Sequence, residues 1–335
     1  MTDLRDRLIV QRSFGSAQLL AEHPPRLRNH HKGLLLDLAY PVGIVPTGTI
    51  NYCRWEAMPL PDLAPTPTAT KFQSQENVYD YLSISNGPSL EWYVNFADPH
   101  LFVAYGSGLF AQDEMQVAEH PILGSLREAL RTVNDPALTV DGGKPTPITI
   151  RGAERRIAVA TDANAAAGRP SGLYGNRFAA ASSEVIRRAT TVVDPPTITN
   201  LIAMAAPSEG HGLYRLSEIE FVLTTAFTGF AAARSETSNT LGNNAATVIH
   251  TGYWGCGAFG GNRVLMATLQ LLAARLAGVE LLVFHTFDAA GTKTFAEASA
   301  LLDREMGGPK GTTSVQDLIS RFLVLCFRWG VSDGN

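Results

Sequence analysis

Hydrophobic and polar positions follow two periods from about residue 77 onward, one typical of strands and one typical of helices. Short runs rich in apolar, β-branched and aromatic residues predict strands at residues 78–84, 91–97, 146–150, 201–205, 246–249 and 279–284. Helical spacing predicts helices at residues 112–130, broken at Pro121, and at residues 216–234, 263–276 and 314–329. Because strands that alternate with helices form a mostly parallel or mixed sheet covered on both faces, the pattern predicts an α/β fold.

The first 75 residues have a different pattern. Residues 3–20 are mixed and moderately helical, residues 33–40 are apolar, and prolines punctuate residues 60–70. Proline is excluded from helix interiors and from central strands. We therefore predict a helical and irregular accessory segment over residues 1–75, followed by a core domain over residues 76–335.

Composition narrows the class of protein. The 335 residues are 45% hydrophobic, which suffices for a buried core, and the net charge is −4 with no basic cluster beyond three arginines at residues 151–156. Nucleic acid is therefore not an expected partner. Three widely separated cysteines predict neither a disulfide framework nor a metal site, and fit a reducing cytoplasm. No apolar run approaches the roughly 20 residues of a membrane span, so we expect no membrane partner. The sequence leaves the oligomeric state open.

One stretch, residues 250–262, combines the end of a predicted strand with the start of a predicted helix. It contains five glycines, at residues 252, 255, 257, 260 and 261. Glycines let backbone N–H groups approach a ligand, and a helix N-terminus adds unpaired donors and positive potential. A diphosphate suits such a loop, which would lie at the carboxyl ends of the strands. The alternative is a tight strand-to-helix turn without a ligand.

The amino-acid sequence of this stretch resembles that of a known family. Residues 251–261, Thr-Gly-Tyr-Trp-Gly-Cys-Gly-Ala-Phe-Gly-Gly, closely resemble a segment of the poly(ADP-ribose) glycohydrolases, with Tyr253 as the only change. These enzymes are macrodomains, so the resemblance implies a macrodomain-like mixed central sheet covered by helices on both faces. It also implies that ADP-ribose is the ligand, and that the loop cradles its diphosphate through Gly255, Cys256, Gly257, Ala258 and Phe259.

A second stretch, residues 94–114, resembles the catalytic segment of the same family. Val-Asn-Phe-Ala-Asp at residues 94–98 and Gln-Asp-Glu at residues 112–114 correspond to the family's Val-Asp-Phe-Ala-Asn and Gln-Glu-Glu. Taken alone, acidic residues in a first helical turn usually serve the helix dipole and cap. The resemblance instead implies that Glu114 is the general acid, and later the base for water, while Asp113 orients the distal ribose. It further assigns Asn95, Asp98 and Gln112 to ligand binding.

Two aromatic residues complete the implied site. Phe287 corresponds to the family's phenylalanine beside the distal ribose, and Tyr174 is the nearest counterpart of a tyrosine that covers the adenine side. The alternatives are a core aromatic at a strand end for Phe287 and an ordinary surface-loop residue for Tyr174.

Departures from the family pattern bear on the substrate. Phe102, Val103 and Ala104 stand where the family has three glycines, Asn95 and Asp98 exchange the family's Asp and Asn, and Asp113 is one methylene shorter than Glu. The resemblance thus implies a glycohydrolase that cleaves a ribosyl glycosidic bond in a small or mono-ADP-ribosylated conjugate rather than in polymer. It implies no cofactor and no metal. Two alternatives stay open: a macrodomain that binds ADP-ribose without turnover, and a tailoring enzyme for an NAD-derived metabolite.

Overall fold

An eight-stranded sheet forms the centre of the protein. The computed structural model describes residues 4–65, 70–85, 87–208, 210–307 and 313–334. The strands within these residues are β1 Leu8–Gly15, β2 Thr49–Trp55, β3 Leu63–Ala64, β4 Lys71–Gln75, β5 Ser89–Phe96, β6 Val140–Asp141, β7 Lys144–Pro145, β8 Ile148–Val159, β9 Thr190–Met204, β10 Ala246–Thr251, β11 Leu281–His285 and β12 Thr313–Ser314. The large sheet has the order β1-β2-β8-β9-β5-β10-β11-β4.

Helices cover the sheet on both faces. After a short 3₁₀ helix at Leu4–Arg7, they are α1 Ser16–Glu22, α2 His30–Ala39, α3 Gln112–Glu119, α4 Ile122–Thr132, α5 Arg177–Ala180, α6 Ser183–Ala189, α7 Leu216–Leu241, α8 Arg263–Ala277, α9 Ala289–Met306 and α10 Val315–Val324. Successive side chains of the central strands point to opposite faces of the sheet, as strand geometry requires. Ile202 and Met204 of β9 pack in the cluster that contains α7 and α8, whereas Leu201 and Ala203 pack with α1 and α4.

Strand direction divides the sheet into two parts. Strands β9, β5, β10, β11 and β4 are parallel to their neighbours within this group, and β1, β2 and β8 are antiparallel. The carboxyl ends of the five parallel strands therefore lie at one edge of the sheet, where α/β folds bind their ligands. The glycine-rich stretch follows β10 at this edge, and Phe287 follows β11.

Helix α7 is the longest helix of the described chain and lies at the centre of one hydrophobic cluster. Its length and mean hydropathy of 1.2 over an 18-residue window would suit a membrane span, but 67% of that window is buried inside the protein. These apolar residues are accounted for by packing against the sheet and α8.

The structure confirms the predicted α/β class and most elements of residues 87–285. The strand after residue 89, the break at Pro121, the strand at residues 246–249 and the helix after Asn262 all occur where the sequence pattern places them. Strands β8 and β9 and helix α7 are longer than predicted.

Residues 1–75 differ from the prediction of a helical and irregular accessory segment. Three of their strands, β1, β2 and β4, belong to the central sheet, although α1 and α2 are helical as expected. Strand β1 pairs with β2, and β2 pairs with β8, so these strands extend the core. The proline-rich run falls partly on residues 66–69, which lie outside the described residues.

One other predicted element is wrong, and the last predicted helix is shorter than expected. Residues 78–84 do not form a strand, because Tyr81 adopts a φ of 58° and its ring turns toward Tyr93. The last helix ends at Val324, because Cys326 has a φ of 54° and the chain then bonds to the loop after β9 through Trp329.

Candidate active site

The glycine-rich loop is held open by contacts behind it. Gly255 has a φ of 74°, and a Cβ there would lie 2.5 Å from the Cβ of Ala206. The Trp254 indole N–H donates to the Met204 carbonyl at 2.8 Å, which ties the loop to the end of β9. A Cβ on Gly257, in contrast, would have as its nearest neighbour the exposed Asp333 side chain, at 3.0 Å. Gly255 therefore serves the fold, while Gly257 keeps the outer surface of the loop free of a side chain.

The middle of the loop contains backbone N–H groups that the loop's own hydrogen bonds do not use. Internal bonds use the N–H groups of Cys256, Gly260 and Gly261, and within the described chain those of Gly257, Ala258 and Phe259 donate to no backbone carbonyl. The loop ends where the Asn262 side chain caps α8 by accepting from the Leu265 N–H at 3.1 Å. Such amides beside a helix N-terminus form an anion site.

The Cys256 thiol takes no part in such a site. It lies 3.6 Å from the Trp254 carbonyl oxygen, and burial raises its pKa to about 12. Since the thiolate is the nucleophilic form, this cysteine contributes its backbone and not its sulfur.

The two predicted catalytic carboxylates lie in the first turn of α3 and are buried. Asp113 is 7% exposed and Glu114 is 4% exposed. The Asn95 amide donates to Asp113 Oδ1 at 2.9 Å, and the Ala111 N–H donates to Glu114 Oε2 at 3.1 Å. Glu114 therefore does fill the capping position expected of an acidic residue in a first helical turn, but it is buried and not in solvent.

Burial changes the protonation of this pair. The pKa of Asp113 is raised by loss of solvation first and by the charge of Glu114 second. The pKa of Glu114 is also raised by burial, and the nearby Lys32 ammonium opposes that shift. Because two adjacent buried carboxylates resist ionising together, the pair holds a proton near neutral pH.

Lys32 is a site residue that the sequence did not reveal. It lies on α2 and is only 3% exposed, with its Nζ donating to the Tyr105 carbonyl at 2.9 Å and lying 5.0 Å from the centre of the Phe110 ring. Burial lowers its pKa to about 8, while Glu114 and Asp113 act in the opposite direction. A lysine in a segment predicted to be accessory gave no sequence signal for a cation beside the carboxylates.

Asn95 and Gln112 hold the start of α3 against β5. Both oxygen and nitrogen of the Gln112 side chain bond to β5, with Oε1 accepting from the Phe96 N–H at 2.7 Å and Nε2 donating to the Val94 carbonyl at 3.1 Å. Asn95 is fully buried and also donates to Gln116 Oε1 at 2.9 Å. The side chains predicted to bind ligand are thus used to fix the start of α3 against β5. Asp98, the fifth polar residue predicted here, is partly exposed and accepts from the His100 N–H at 2.9 Å.

Phe102, Val103 and Ala104, which replace the family glycines, alter the site less than the size of their side chains suggests. Phe102 keeps a left-handed φ of 54°, which glycine favours, and its ring is fully buried in the cluster with α4. Val103 is the exposed member of the three. At Phe102 the backbone of this turn therefore keeps a conformation that glycine favours. Of the three replacing residues, only Val103 and the partly exposed Ala104 add side-chain atoms toward solvent.

Phe287 combines backbone strain with exposure. Its φ is 70° and it is 71% exposed, although it is a large apolar residue. Such a conformation costs about 1–3 kcal/mol, and strained exposed aromatics cluster at binding sites. The structure therefore removes the alternative of a core aromatic for Phe287.

Tyr174 joins the two halves of the site. Burial and then the charge of Asp333 raise the pKa of its hydroxyl to about 12, while a hydrogen bond with the Gln112 backbone lowers it. Glu114 also acts on the hydroxyl. Asp333 in turn lies against Gly257, so charges from α3 and from beside the glycine-rich loop both act on this hydroxyl.

A chain of hydrogen bonds stiffens the sheet beside this space. His250 Nε2 lies 2.9 Å from Glu91 Oε2, His250 Nδ1 lies 3.0 Å from His285 Nε2, and His285 Nδ1 lies 2.8 Å from Asn77 Oδ1. Burial lowers the pKa of His285 to about 4, so it is neutral at physiological pH. These histidines connect strands and leave no nitrogen for catalysis. In the described part of the chain, no cluster of three or more His, Cys, Asp or Glu side chains is placed to hold a metal ion.

The parallel sheet with a glycine-rich loop after β10 and buried carboxylates after β5 defines the class as an α/β macrodomain. Residues 171–294 match the family model described as poly(ADP-ribose) glycohydrolase (PARG), Macro domain fold. Over these residues the chain is similar to the poly(ADP-ribose) glycohydrolase family. The matched range contains Tyr174, the glycine-rich loop and Phe287, whereas Asp113 and Glu114 precede it.

Solved structures with similar architecture have low sequence identity to this chain. Poly(ADP-ribose) glycohydrolase from Thermomonospora curvata is 16% identical, with a TM-score of 0.47 over 80% of this chain and 98% of that chain. The enzyme from Deinococcus radiodurans, in complex with ADP-ribose, is 14% identical, with a TM-score of 0.39 over 92% of this chain and 98% of that one. A macrodomain from Oceanobacillus iheyensis is 12% identical, with a TM-score of 0.38 over 72% and 97%. No curated protein matches the chain.

Proposed function

We propose that this protein is a glycohydrolase that cleaves the ribosyl glycosidic bond of an ADP-ribosyl conjugate. The observation that carries the proposal is the buried pair Asp113 and Glu114, placed at the same sheet edge as the glycine-rich loop. The loop binds the diphosphate and Phe287 packs beside the terminal ribose. The match to the glycohydrolase family supports this assignment.

The chemistry needs a proton at the departing oxygen and a negative charge near the cationic ribose carbon. Glu114 supplies the proton, because burial favours its protonated form. Asp113 holds the ribose hydroxyls in position, and its own orientation is fixed by Asn95. After bond cleavage, ionised Glu114 takes a proton from the attacking water.

The substrate we propose is a small or singly attached ADP-ribosyl group rather than polymer. Val103 projects from the turn where the family has bare glycine, and Asp113 is shorter than the family's glutamate. Both changes reduce the contacts available to further ADP-ribose units along a chain.

A macrodomain that binds ADP-ribose without turnover is the second candidate. It is favoured by the hydrogen bond between Glu114 and the Ala111 N–H, which gives that carboxylate a structural role in capping α3. The two functions differ in one result, the release of free ADP-ribose.

Three substrates separate these functions. Wild-type protein is incubated with mono-ADP-ribosylated protein, with poly(ADP-ribose) and with small conjugates derived from NAD, and free ADP-ribose is measured by chromatography. We expect release from the mono-ADP-ribosylated protein or from a small conjugate, at a rate well above that on polymer. Binding of ADP-ribose without release from any substrate would contradict hydrolysis and support the binding protein.

The pH dependence of activity should depend on the positive charge of Lys32 near Asp113 and Glu114. Lys32 favours the ionised carboxylates, so its removal in Lys32→Met should raise their pKa values further. Activity that depends on a protonated Glu114 falls as pH rises, and the variant's alkaline limb should shift upward by about one unit. Asp98 and Tyr174 also act electrostatically on the pair or its surroundings and stay unchanged in the variant.

The Lys32 experiment has two controls. Lys144 is exposed on the surface, unlike the buried Lys32. Lys144→Met therefore removes one lysine without changing the surroundings of the carboxylates, and it should leave the pH profile of activity unchanged. Lys32→Arg keeps the positive charge and should retain most of the wild-type profile. A profile that Lys32→Met leaves unmoved would show that the lysine is a packing residue only.

A further inference from the structure

The segment after Trp329 crosses the glycine-rich loop. The Gly330 N–H donates to the Gly260 carbonyl at 2.8 Å, and the Asp333 N–H donates to the Gly257 carbonyl at 3.4 Å. We call residues 330–334 the strap. These bonds attach the strap to Gly257 inside the proposed diphosphate cradle and to Gly260 just after it, so the strap lies against the cradle.

The carboxylate of Asp333 lies where an anionic ligand would approach. Its Oδ2 would be 3.0 Å from a Cβ on Gly257, the residue whose missing side chain leaves the loop surface open. Its charge also acts on the Tyr174 hydroxyl, across the site from the loop. A carboxylate between a glycine-rich loop and this tyrosine carries the same sign of charge as a phosphate group.

Trp329 anchors the start of the strap to the core. The Trp329 ring stacks on Tyr214 with ring centres 4.3 Å apart. The backbone N–H of Trp329 donates to the Gly212 carbonyl at 3.0 Å. Beyond this anchor Val331 is 91% exposed, and Ser332, Asp333 and Gly334 are exposed as well. Few apolar contacts oppose displacement of these residues, so the strap can leave the loop without disturbing the core.

We propose that the strap is an autoinhibitory element in which Asp333 occupies the diphosphate position and must be displaced by the ligand. The proposal rests on the assignment of the glycine-rich loop as the diphosphate site. A diphosphate displaces the strap because it carries more negative charge than one carboxylate and binds several N–H groups together. Uncharged nucleosides lack this advantage and are excluded.

Affinity for ADP-ribose tests the strap directly, by calorimetry on the full chain. If the strap occupies the loop in about nine of ten molecules, it weakens apparent binding about tenfold. Asp333→Ala should therefore bind ADP-ribose up to about tenfold more tightly than wild type, and a protein ending at Gly330 should do the same. Ser332→Ala is the matched control and should bind as wild type does, because among the described residues the Ser332 hydroxyl bonds within the strap, accepting from the Gly334 N–H at 3.1 Å.

The outcomes separate this proposal from the proposed hydrolysis. Equal affinity for wild type, Asp333→Ala and the shortened protein would overturn autoinhibition and leave hydrolysis standing. Tighter binding in the two variants with no ADP-ribose released from any conjugate would support the strap and refute hydrolysis. Absence of ADP-ribose binding even without the strap would overturn the strap proposal together with the diphosphate site.

Discussion

Replacement of Glu114 by glutamine should lower turnover of an ADP-ribosyl conjugate by about 10² to 10⁴, the usual contribution of general acid catalysis. The glutamine keeps the size of the side chain, and its amide oxygen can still accept from the Ala111 N–H that now bonds to Glu114. It cannot deliver a proton to the departing oxygen. ADP-ribose affinity, measured by calorimetry, should change little, because the lost function belongs to the transition state.

Asp113→Asn provides the matched comparison within the same turn. It should weaken both binding and turnover, because a group that orients ribose hydroxyls acts in the ground state and in the transition state. Full activity of Glu114→Gln on a substrate that the wild type cleaves would show that another group is the acid. The site assignment would then be wrong at its centre.

Filling the outer surface of the loop should abolish ligand binding without unfolding the protein. A Cβ on Gly257 points into the space that Asp333 enters, and its three nearest atoms all belong to that side chain. Gly257→Leu should therefore weaken ADP-ribose binding at least about 100-fold, equivalent to about 2.7 kcal/mol, as measured by calorimetry.

Two other glycines serve as references for Gly257→Leu. Gly15→Leu adds the same side chain where nothing lies within 4 Å, and it should bind ADP-ribose as wild type does. Gly255→Leu should lose the fold of the loop, because the added Cβ would be 2.5 Å from Ala206 and the φ is positive. Unchanged affinity in Gly257→Leu with an intact thermal transition would place the diphosphate elsewhere.

The sequence predicted the loop and the start of α3 because each has a local cause. Glycines between an apolar β-branched run and a helical pattern determine a strand, a loop and a helix N-terminus by short-range sterics alone. Pro121 likewise marks the break between α3 and α4 within its own neighbourhood. The positions of Asp113, Glu114 and Phe287 followed from these elements and from the family resemblance.

The contribution of the first 75 residues was not predictable in the same way. Strand β1 reads Leu-Ile-Val-Gln-Arg-Ser-Phe-Gly, with no regular alternation, and becomes a strand through its pairing with β2. Lys32 acquires its role only because α2 is brought against α3 by the tertiary fold. No local pattern distinguishes this lysine from one on a solvated surface.

Backbone strain was also outside the reach of the sequence. Tyr81 lies in a run of high strand propensity, yet the Tyr79 hydroxyl bonds to the Val94 and His250 carbonyls and the run packs over β5. Tertiary contacts thus override propensity. Phe102 is a second example. This bulky residue keeps a φ expected of glycine because its ring packs in the core.

We propose above all that the glycine-rich loop and the carboxylates of α3 form a single ADP-ribose site. A crystal structure of the Glu114→Gln variant with ADP-ribose tests it most directly. We predict the diphosphate against residues 255–261, the terminal ribose between Asp113 and Phe287, and the strap displaced from the loop. ADP-ribose bound instead in the separate cavity of about 350 Å³ lined by Tyr93, Arg151 and Asn200, with the strap still on the loop, would contradict the claim.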